Sequence, residues 1–542
     1  MSRGGTQDRS LLPQDAGNRK FYAMNRPLIF PKNAFWLAGA LAIIFLAQGI
    51  FGSLEKSLTW DEPTFIASGY TYLTRDDFRL NPMAPPLMQQ LEALPLLSMN
   101  LNVPTEAHPT WQRGNHIGFA RQFIRENASK IREIAFRARL PVLLLGSVLI
   151  LAIYLWGQRL YGPVPALLAA ATAALSPNLL AHAKLATTDF GCTVFMCLSV
   201  WAFWQSMQTW EKRRWALCGF ITGLALLSKF TGLLLGPIYL ALAVFHLVRK
   251  RSEAVPLIVG LLIAGGIALL TVGAGYNLSF NPMRYMEGVR SIYTDTSQRY
   301  QFYLLGKVSG QPWWYYHIVA FLLKVPLPAL GLIALALVSL FRDARHRDAA
   351  LYLLTPALVV LGASCFDRAN LGLRRILPAF PFLFLFSAQA LAGPRDRWRT
   401  WVVVCLMAWL GIEAARTYPH HLAYFNSAAG GPERGPYLLD DSNIDWGQDL
   451  PALAAWQRSH PEADPLKLFY FGNVPPAAYG VRAVAMAKQD IVHPQPGAYA
   501  VSAHHLAWFR KLQKQSGRDI DWLTRYRPIA RAGYAIYIYR FP

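Results

Sequence analysis

Cysteine is scarce and sits in the wrong places for covalent or metal work. The five, Cys192, Cys197, Cys218, Cys365 and Cys405, all lie in or beside apolar runs. They read as small core residues, so neither a disulfide framework nor a thiolate zinc site is expected. Acidic residues are also few, 31 against 53 Lys and Arg, which leaves a net charge of +22. The excess lies mainly in short links between apolar runs, with no basic helix interleaved with stacking aromatics, which argues against nucleic acid. Membrane lipids and lipid phosphate account for it better. No repeat of fixed period stands out. The first apolar run lacks a small-x-small cleavage site and reads as a retained helix.

Apolar length is what the chain has in abundance. Hydrophobic residues make up 54% of it, in runs of about 18 to 25 residues, enough to cross ~30 Å of hydrocarbon. Candidate spans lie near 34–54, 138–157, 162–182, 188–208, 214–228, 231–248, 255–276, 318–340, 349–365, 376–391 and 400–416. That makes about eleven helices, with the division at Ser228-Lys229 the least sharply marked. Alternate links are basic: Glu211 to Arg214, Arg249 to Arg251, Arg342 to Arg347, and Arg395 to Arg399. The positive-inside bias puts these links and the N-terminus in the cytoplasm.

Three regions are therefore expected: a cytoplasmic tail over 1–33, a transmembrane domain over 34–416, and an external domain over 417–542. The last reads as a small α/β unit, with strands at Leu466–Phe471, Ala498–Ser502 and Ala535–Tyr539 and helices at Leu450–Ser459 and Leu506–Gln515. Segments 55–137 and 277–317 fall on the same outer side. Segment 55–137 lacks a span but carries apolar stretches suited to interfacial helices. Trp313 to Tyr316 matches an interfacial aromatic belt.

Polar motifs gather on that outer side. Trp60-Asp61-Glu62-Pro63 follows the first span, then Arg75-Asp76-Asp77 and Asn81-Pro82-Met83-Ala84-Pro85-Pro86-Leu87. Asp61 suits a general base, because a carboxylate at a low-dielectric boundary has its pKa raised, and Glu62 beside it adds to the effect. The same pair before Pro63 also suits a plain helix start. Asp189 opens the fourth span as acceptor-orienting group, cation partner, divalent-ion ligand or simple cap. Lys324 lies inside an apolar run, where an unpaired ammonium costs about 2.5–3.5 kcal/mol; it either snorkels outward or binds an anion. Arg374 and Arg375 stand at the same rim and suit bidentate phosphate binding.

Asp441-x-Asn443-x-Asp445 has the first oxygen spacings of a calcium loop. Trp446 occupies the required glycine position, however, and no Glu closes the loop. An acidic turn or a sugar-facing Trp446 is the better reading. His420-His421 has no nearby ligand set.

The Asp-Glu pair, an Asp some fifteen residues on, and Asn-Pro-x-x-Pro-Pro-Leu together resemble the lipid carrier-dependent glycosyltransferases. That superfamily includes protein O-mannosyltransferases (glycosyltransferase family 39-like) and the aminoarabinose transferase acting on lipid A. Leu185 to Asp189, Tyr316 to Pro328 and Asn370 to Pro378 extend the resemblance over roughly 30–416. Asn370 to Pro378 is similar to the family's Gly-x-Arg-Tyr-x-Leu-Pro motif, and reading Arg375-Ile376 in place of its Arg-Tyr favours Arg375. Ala84 stands where many relatives carry His or Lys.

The resemblance implies a C-type membrane glycosyltransferase fold and an outward active site, at the periplasmic face of a bacterial inner membrane. It implies a polyprenyl-phosphate sugar donor and a protein, lipid A, core or glycan acceptor. Asp61, Glu62 and Asp189 become catalytic candidates, and Lys324, Arg374 and Arg375 donor-phosphate ligands. Asp77, Asn81 and Trp446 become acceptor or sugar contacts. Magnesium or manganese on Asp61 and Asp189 is the metal alternative to protein cations alone. A lipid-sugar transporter or flippase is the rival reading, but it calls for charges near the bilayer midplane and related halves. Neither is evident.

Overall fold

A computed structural model of the chain describes residues 32–277, 282–296, 301–342, 346–392 and 397–542. Among them, seven helices are long and apolar enough to cross a membrane: Asn33–Leu54, Ala128–Tyr161, Thr188–Thr209, Phe230–Arg249, Arg251–Gly275, Arg347–Ser364 and Arg397–Thr417. Two bent pairs raise the number to nine. Pro163–Ala174 and Pro177–Ala183 meet at 60°, and Tyr316–Lys324 and Leu327–Arg342 at 108°. Proline lies at each break, Pro177 and Pro326, where the missing N–H interrupts helical hydrogen bonding.

The other two expected runs are helical but shorter. Lys212–Ser228 has 17 residues, and Phe380–Ser387 is flanked by the 3-10 segments Leu373–Ala379 and Ala388–Leu391. The chain is a mostly helical, polytopic integral membrane protein. Most of the expected N-terminal tail falls on 1–31, and parts of two basic links fall on 343–345 and 393–396, all outside the described residues.

The first outer segment folds into short helices, Glu62–Arg75, Pro86–Ala93, Pro109–Gln112 and His116–Glu126, as its apolar stretches suggested. In the belt motif Trp314 is exposed, whereas Tyr316 is buried and its hydroxyl accepts from Asn443 Nδ2 at 2.9 Å.

Seven strands occur among the described residues. β1 (Phe302–Leu304) and β2 (Lys307–Ser309) form an antiparallel hairpin. The C-terminal sheet comprises β3 (Leu466–Phe469), β4 (Ala483–Ala485), β5 (Gly497–Ser502), β6 (Ala530–Ala532) and β7 (Ile536–Phe541), in the order β4-β3-β5-β7-β6. β3 runs parallel to both β4 and β5, while β7 runs antiparallel to β5 and β6. The helix Leu450–Ser459 forms where the sequence placed it, and the later helix spans Ala503–Ser516.

The outer segment and this C-terminal domain share one core. Ile66, Phe119 and Phe123 pack in the same buried cluster as Leu453, Leu466 and Ala500. Each such large side chain contributes about 1.5–3 kcal/mol by leaving water. The two segments are also tied by backbone. Ser57 N donates to Gln448 O at 3.0 Å, and Trp60 N to Trp446 O at 2.8 Å. This pairing sets Asp61 beside the acidic run 440–449.

Candidate active site

Asp61 and Glu62 are neighbours in sequence with opposite environments. Glu62 is fully buried and paired through both oxygens to Arg139 Nε at 2.7 Å and Nη2 at 2.8 Å. It also accepts from Thr59 N at 2.7 Å and Ala186 N at 2.8 Å. The remaining donors of Arg139 reach the carbonyls of Ser53, Lys56 and Ser57. Burial raises the Glu62 pKa, but the Arg139 charge and these hydrogen bonds outweigh it and hold the carboxyl below its ordinary value. Glu62 is thus a structural pin joining the end of the first span, the outer segment and the segment before Asp189. It was expected as a catalytic candidate; here both oxygens are engaged and it does not line the cavity that Asp61 faces.

Asp61 occupies the N-cap position of the Glu62–Arg75 helix, yet its side chain makes no capping hydrogen bond. It lines a cavity of about 660 Å³ instead. There Arg374 Nη1 lies 3.0 Å from Asp61 Oδ2 and 3.5 Å from Asp189 Oδ2. Lys229 Nζ donates to the other oxygen of Asp189. Arg374 also lies over the Trp446 ring, 4.2 Å from its centre, a cation–π contact. Burial disfavours the Arg374 charge, but Asp61, Asp189 and Asp441 more than compensate and raise its pKa. Two carboxylates and two cations therefore form one cluster at helix ends, with Asp61, Lys229 and Arg374 facing the cavity.

Gly372 explains why adjacent arginines diverge. It adopts φ +112°, and a Cβ there would lie 2.2 Å from Ser442 Oγ, so glycine is required. The chain then turns into the Leu373–Ala379 segment. Arg374 points to Asp61 and Asp189, whereas Arg375 pairs with Asp367 at 2.9 Å on the cavity edge. The expectation of Arg375 rested on a register one residue late: counted from Gly372, the motif's Arg falls on Arg374, which is also the one that meets Asp61 and Asp189.

Lys324 departs furthest from expectation. It is buried, donates to Leu422 O at 2.9 Å and to Asn443 O, and lies over the Phe425 ring. It does not line the cavity. The helix carrying it ends at the 108° bend, and its ammonium satisfies carbonyls that would otherwise be buried without partners. It was expected as a phosphate ligand; here its ammonium is engaged by backbone carbonyls away from the cavity.

Asn81 borders the cavity and donates to Gln89 Oε1 at 3.1 Å. Asp77 lies on an adjacent cavity of about 510 Å³, where it accepts from Arg79 Nε at 2.7 Å. Trp446 lines the main cavity beneath Arg374. In the calcium-like run, Asn443 Oδ1 accepts from Leu373 N at 3.1 Å, and Asp445 accepts from Gly447 N and His504 N. These oxygens are spent on backbone, as an acidic turn requires. His420 and His421 are not idle juxtamembrane residues: their Nδ1 atoms lie 2.6 Å from Lys56 Nζ and 3.0 Å from Lys184 Nζ.

Lys229 and Arg139 were missed in the sequence. Lys229 was visible as a lone charge between two apolar runs and Arg139 as the last of several charges entering one, where a charge without function or partner is costly.

Magnesium or manganese on Asp61 and Asp189 does not fit the donor set. Among the described residues no group of three or more His, Cys, Asp or Glu side chains is arranged to hold a metal. A guanidinium lies against both carboxylates, and a lysine takes a further oxygen.

Residues 127–272 match the model of the dolichyl-phosphate-mannose-protein mannosyltransferase family. No curated protein matches the chain. Similar solved structures include two of ArnT. The crystal structure of ArnT from Cupriavidus metallidurans in the apo state has 14% identity and a TM-score of 0.49, covering 92% of this chain and 96% of that one. The crystal structure of ArnT from Cupriavidus metallidurans bound to undecaprenyl phosphate has 13% identity and a TM-score of 0.46, covering 92% and 97%. Over 127–272, which includes Asp189 and Lys229, the chain is similar to the lipid carrier-dependent glycosyltransferases that its acidic first loop also resembles.

Proposed function

We propose that the chain transfers a sugar from a polyprenyl-phosphate donor to an acceptor hydroxyl at the outer, periplasmic face of a bacterial inner membrane. The observation that carries this reading is the cluster of Asp61, Asp189, Arg374 and Lys229, of which Asp61, Arg374 and Lys229 line one cavity. The partial match to a dolichyl-phosphate-mannose-dependent family supports the donor class.

In this reading the acceptor oxygen attacks the anomeric carbon, and the bond from that carbon to the phosphate oxygen breaks. The phosphate leaves with the electron pair, and Asp61 takes the acceptor's proton. Arg374 and Lys229 face the charge that develops on the phosphate, a contribution worth several kcal/mol when the donors are held in place beforehand. Donor phosphate competes with Asp61 for Arg374, and that competition frees the carboxylate to act as base. Asp189 orients both cations as a positioning residue. Substrate reaches the site in a membrane domain spanning 34–416 and capped by the external domain 417–542.

The test uses purified full-length protein with a panel of polyprenyl-phosphate sugars, the mannosyl lipid first, and mass spectrometry of both products. Release of polyprenyl phosphate together with a glycosylated acceptor supports the reading. Passage of intact lipid-linked sugar across a vesicle membrane, with no bond broken, would establish the flippase alternative instead.

A further inference from the structure

The same cavity has a wall contributed by the C-terminal domain. Trp60, Phe471 and His504 form one continuous stack: Trp60 and Phe471 lie 4.9 Å apart at 16°, and Phe471 and His504 lie 3.9 Å apart at 22°. All three line the cavity and are half-buried, as is Trp508. Acidic groups lie between the rings and the cation cluster. Asp440 pairs with Lys511 at 3.0 Å, and Asp441 adopts φ +56°, a left-handed conformation uncommon outside glycine. Its Oδ1 accepts from Ser442 N at 2.6 Å.

Topology gives this wall a second meaning. Phe471 lies two residues beyond β3, and His504 two residues beyond β5. These adjacent parallel strands send their connections in opposite directions across the sheet, β3 to its neighbour β4 and β5 past β7 to β6 at the other edge. In open α/β sheets, ligands bind outside the carboxyl ends of strands at such a switch point. Here the crevice opens into the cavity that holds Asp61.

We propose that this crevice is the acceptor subsite and that it takes a carbohydrate. The apolar face of a pyranose packs on an aromatic ring, while its hydroxyls donate to carboxylates. Rings beside Asp440 and Asp441 supply both. An isoprenoid tail is a poor occupant, because Asp440, Asp441 and Lys511 interrupt the aromatic surface. A peptide is less well served: no C-terminal sheet strand lines the cavity among the described residues, and of the three-residue β1 only Phe302 reaches it. The inference rests on the cavity being the transfer site, so its test separates binding from transfer.

Full-length protein is titrated, without donor, with core oligosaccharide released from rough lipopolysaccharide and, separately, with a Ser/Thr-rich peptide. Trp508→Leu and Phe471→Leu are compared with the parent chain. Saturable oligosaccharide binding that weakens about tenfold or more in both variants, with little peptide binding, is expected. At saturating donor, the acceptor KM rises in Trp508→Leu while the donor KM stays fixed. Should Phe471→Leu fail to fold, the half-buried Trp508 on its helix carries the test. Equal binding of peptide and oligosaccharide, or variants that move only the donor constant, would overturn the proposal. Oligosaccharide binding without donor cleavage upholds the crevice and removes the transfer reading alone.

Discussion

The buried ion pair Glu62–Arg139 and the open cluster Asp61–Arg374–Asp189–Lys229 begin at adjacent residues and use the same chemical groups. In the first, every oxygen is matched by a fixed donor and no open space adjoins it. In the second, two carboxylates share one guanidinium beside a cavity of about 660 Å³. A closed pair holds the fold together; an open pair has partners to exchange with an incoming anion. Exchangeability, more than charge, distinguishes a site from a strut.

The comparison is broken most severely by removing Arg139. Arg139→Leu strands the Glu62 carboxylate in the interior and should cost about 3–5 kcal/mol, read as thermal unfolding in detergent. Arg374→Ala should leave the fold near parent stability and lower transfer about 10²–10³-fold, with the donor constant rising. Arg375→Ala, paired on the cavity edge to Asp367, should have a much smaller effect on the same donor titration. Lys324→Met leaves buried carbonyls unpaired and should cost about 1–3 kcal/mol of stability with the donor constant unchanged. A shift in donor constant alone would restore Lys324 to the site.

Acid titration sharpens the same contrast at smaller scale. Glu62 has a lowered folded-state pKa, so the stability it contributes is present above the unfolded value, about 4.5, and is lost as pH falls through the folded value. Glu92 behaves oppositely. Both of its carboxyl oxygens are buried without a hydrogen-bond partner, and burial, with Glu62 and Asp189 nearby, raises its pKa well above 4.5. The folded chain keeps a proton that the unfolded chain has lost, so stability falls as pH rises from 4.5 towards that raised value. Glu92→Gln should remove this decline, which parallel unfolding curves at pH 5 and pH 8 would reveal.

Much of the architecture was legible because hydropathy is a one-dimensional signal. All eleven apolar runs became helical, and the helix Leu450–Ser459 kept its expected ends. The rim location of Asp61, Asp189 and Arg374 was legible for the same reason, as loops between spans must lie at a membrane face. Side-chain direction was not. Between Arg374 and Arg375 the motif spacing counted from Gly372 selects Arg374, but which of them turns inward is seen only once Gly372 sets the preceding backbone. Lys324 read as an anion ligand because the carbonyls it satisfies, Leu422 and Asn443, are about a hundred residues distant. Lys229 marked the least sharply placed helix boundary, and its meaning emerges only beside Asp189.

The most direct test of the open cluster is a single-turnover measurement of polyprenyl phosphate release by Asp61→Asn, with donor affinity measured separately. The amide keeps the side chain's size but cannot take the acceptor's proton. The predicted result is a loss of about 10²-fold or more in the chemical step, with donor still bound and thermal stability preserved. Turnover within about threefold of the parent chain would contradict the account and leave Asp61 as no more than a partner for Arg374.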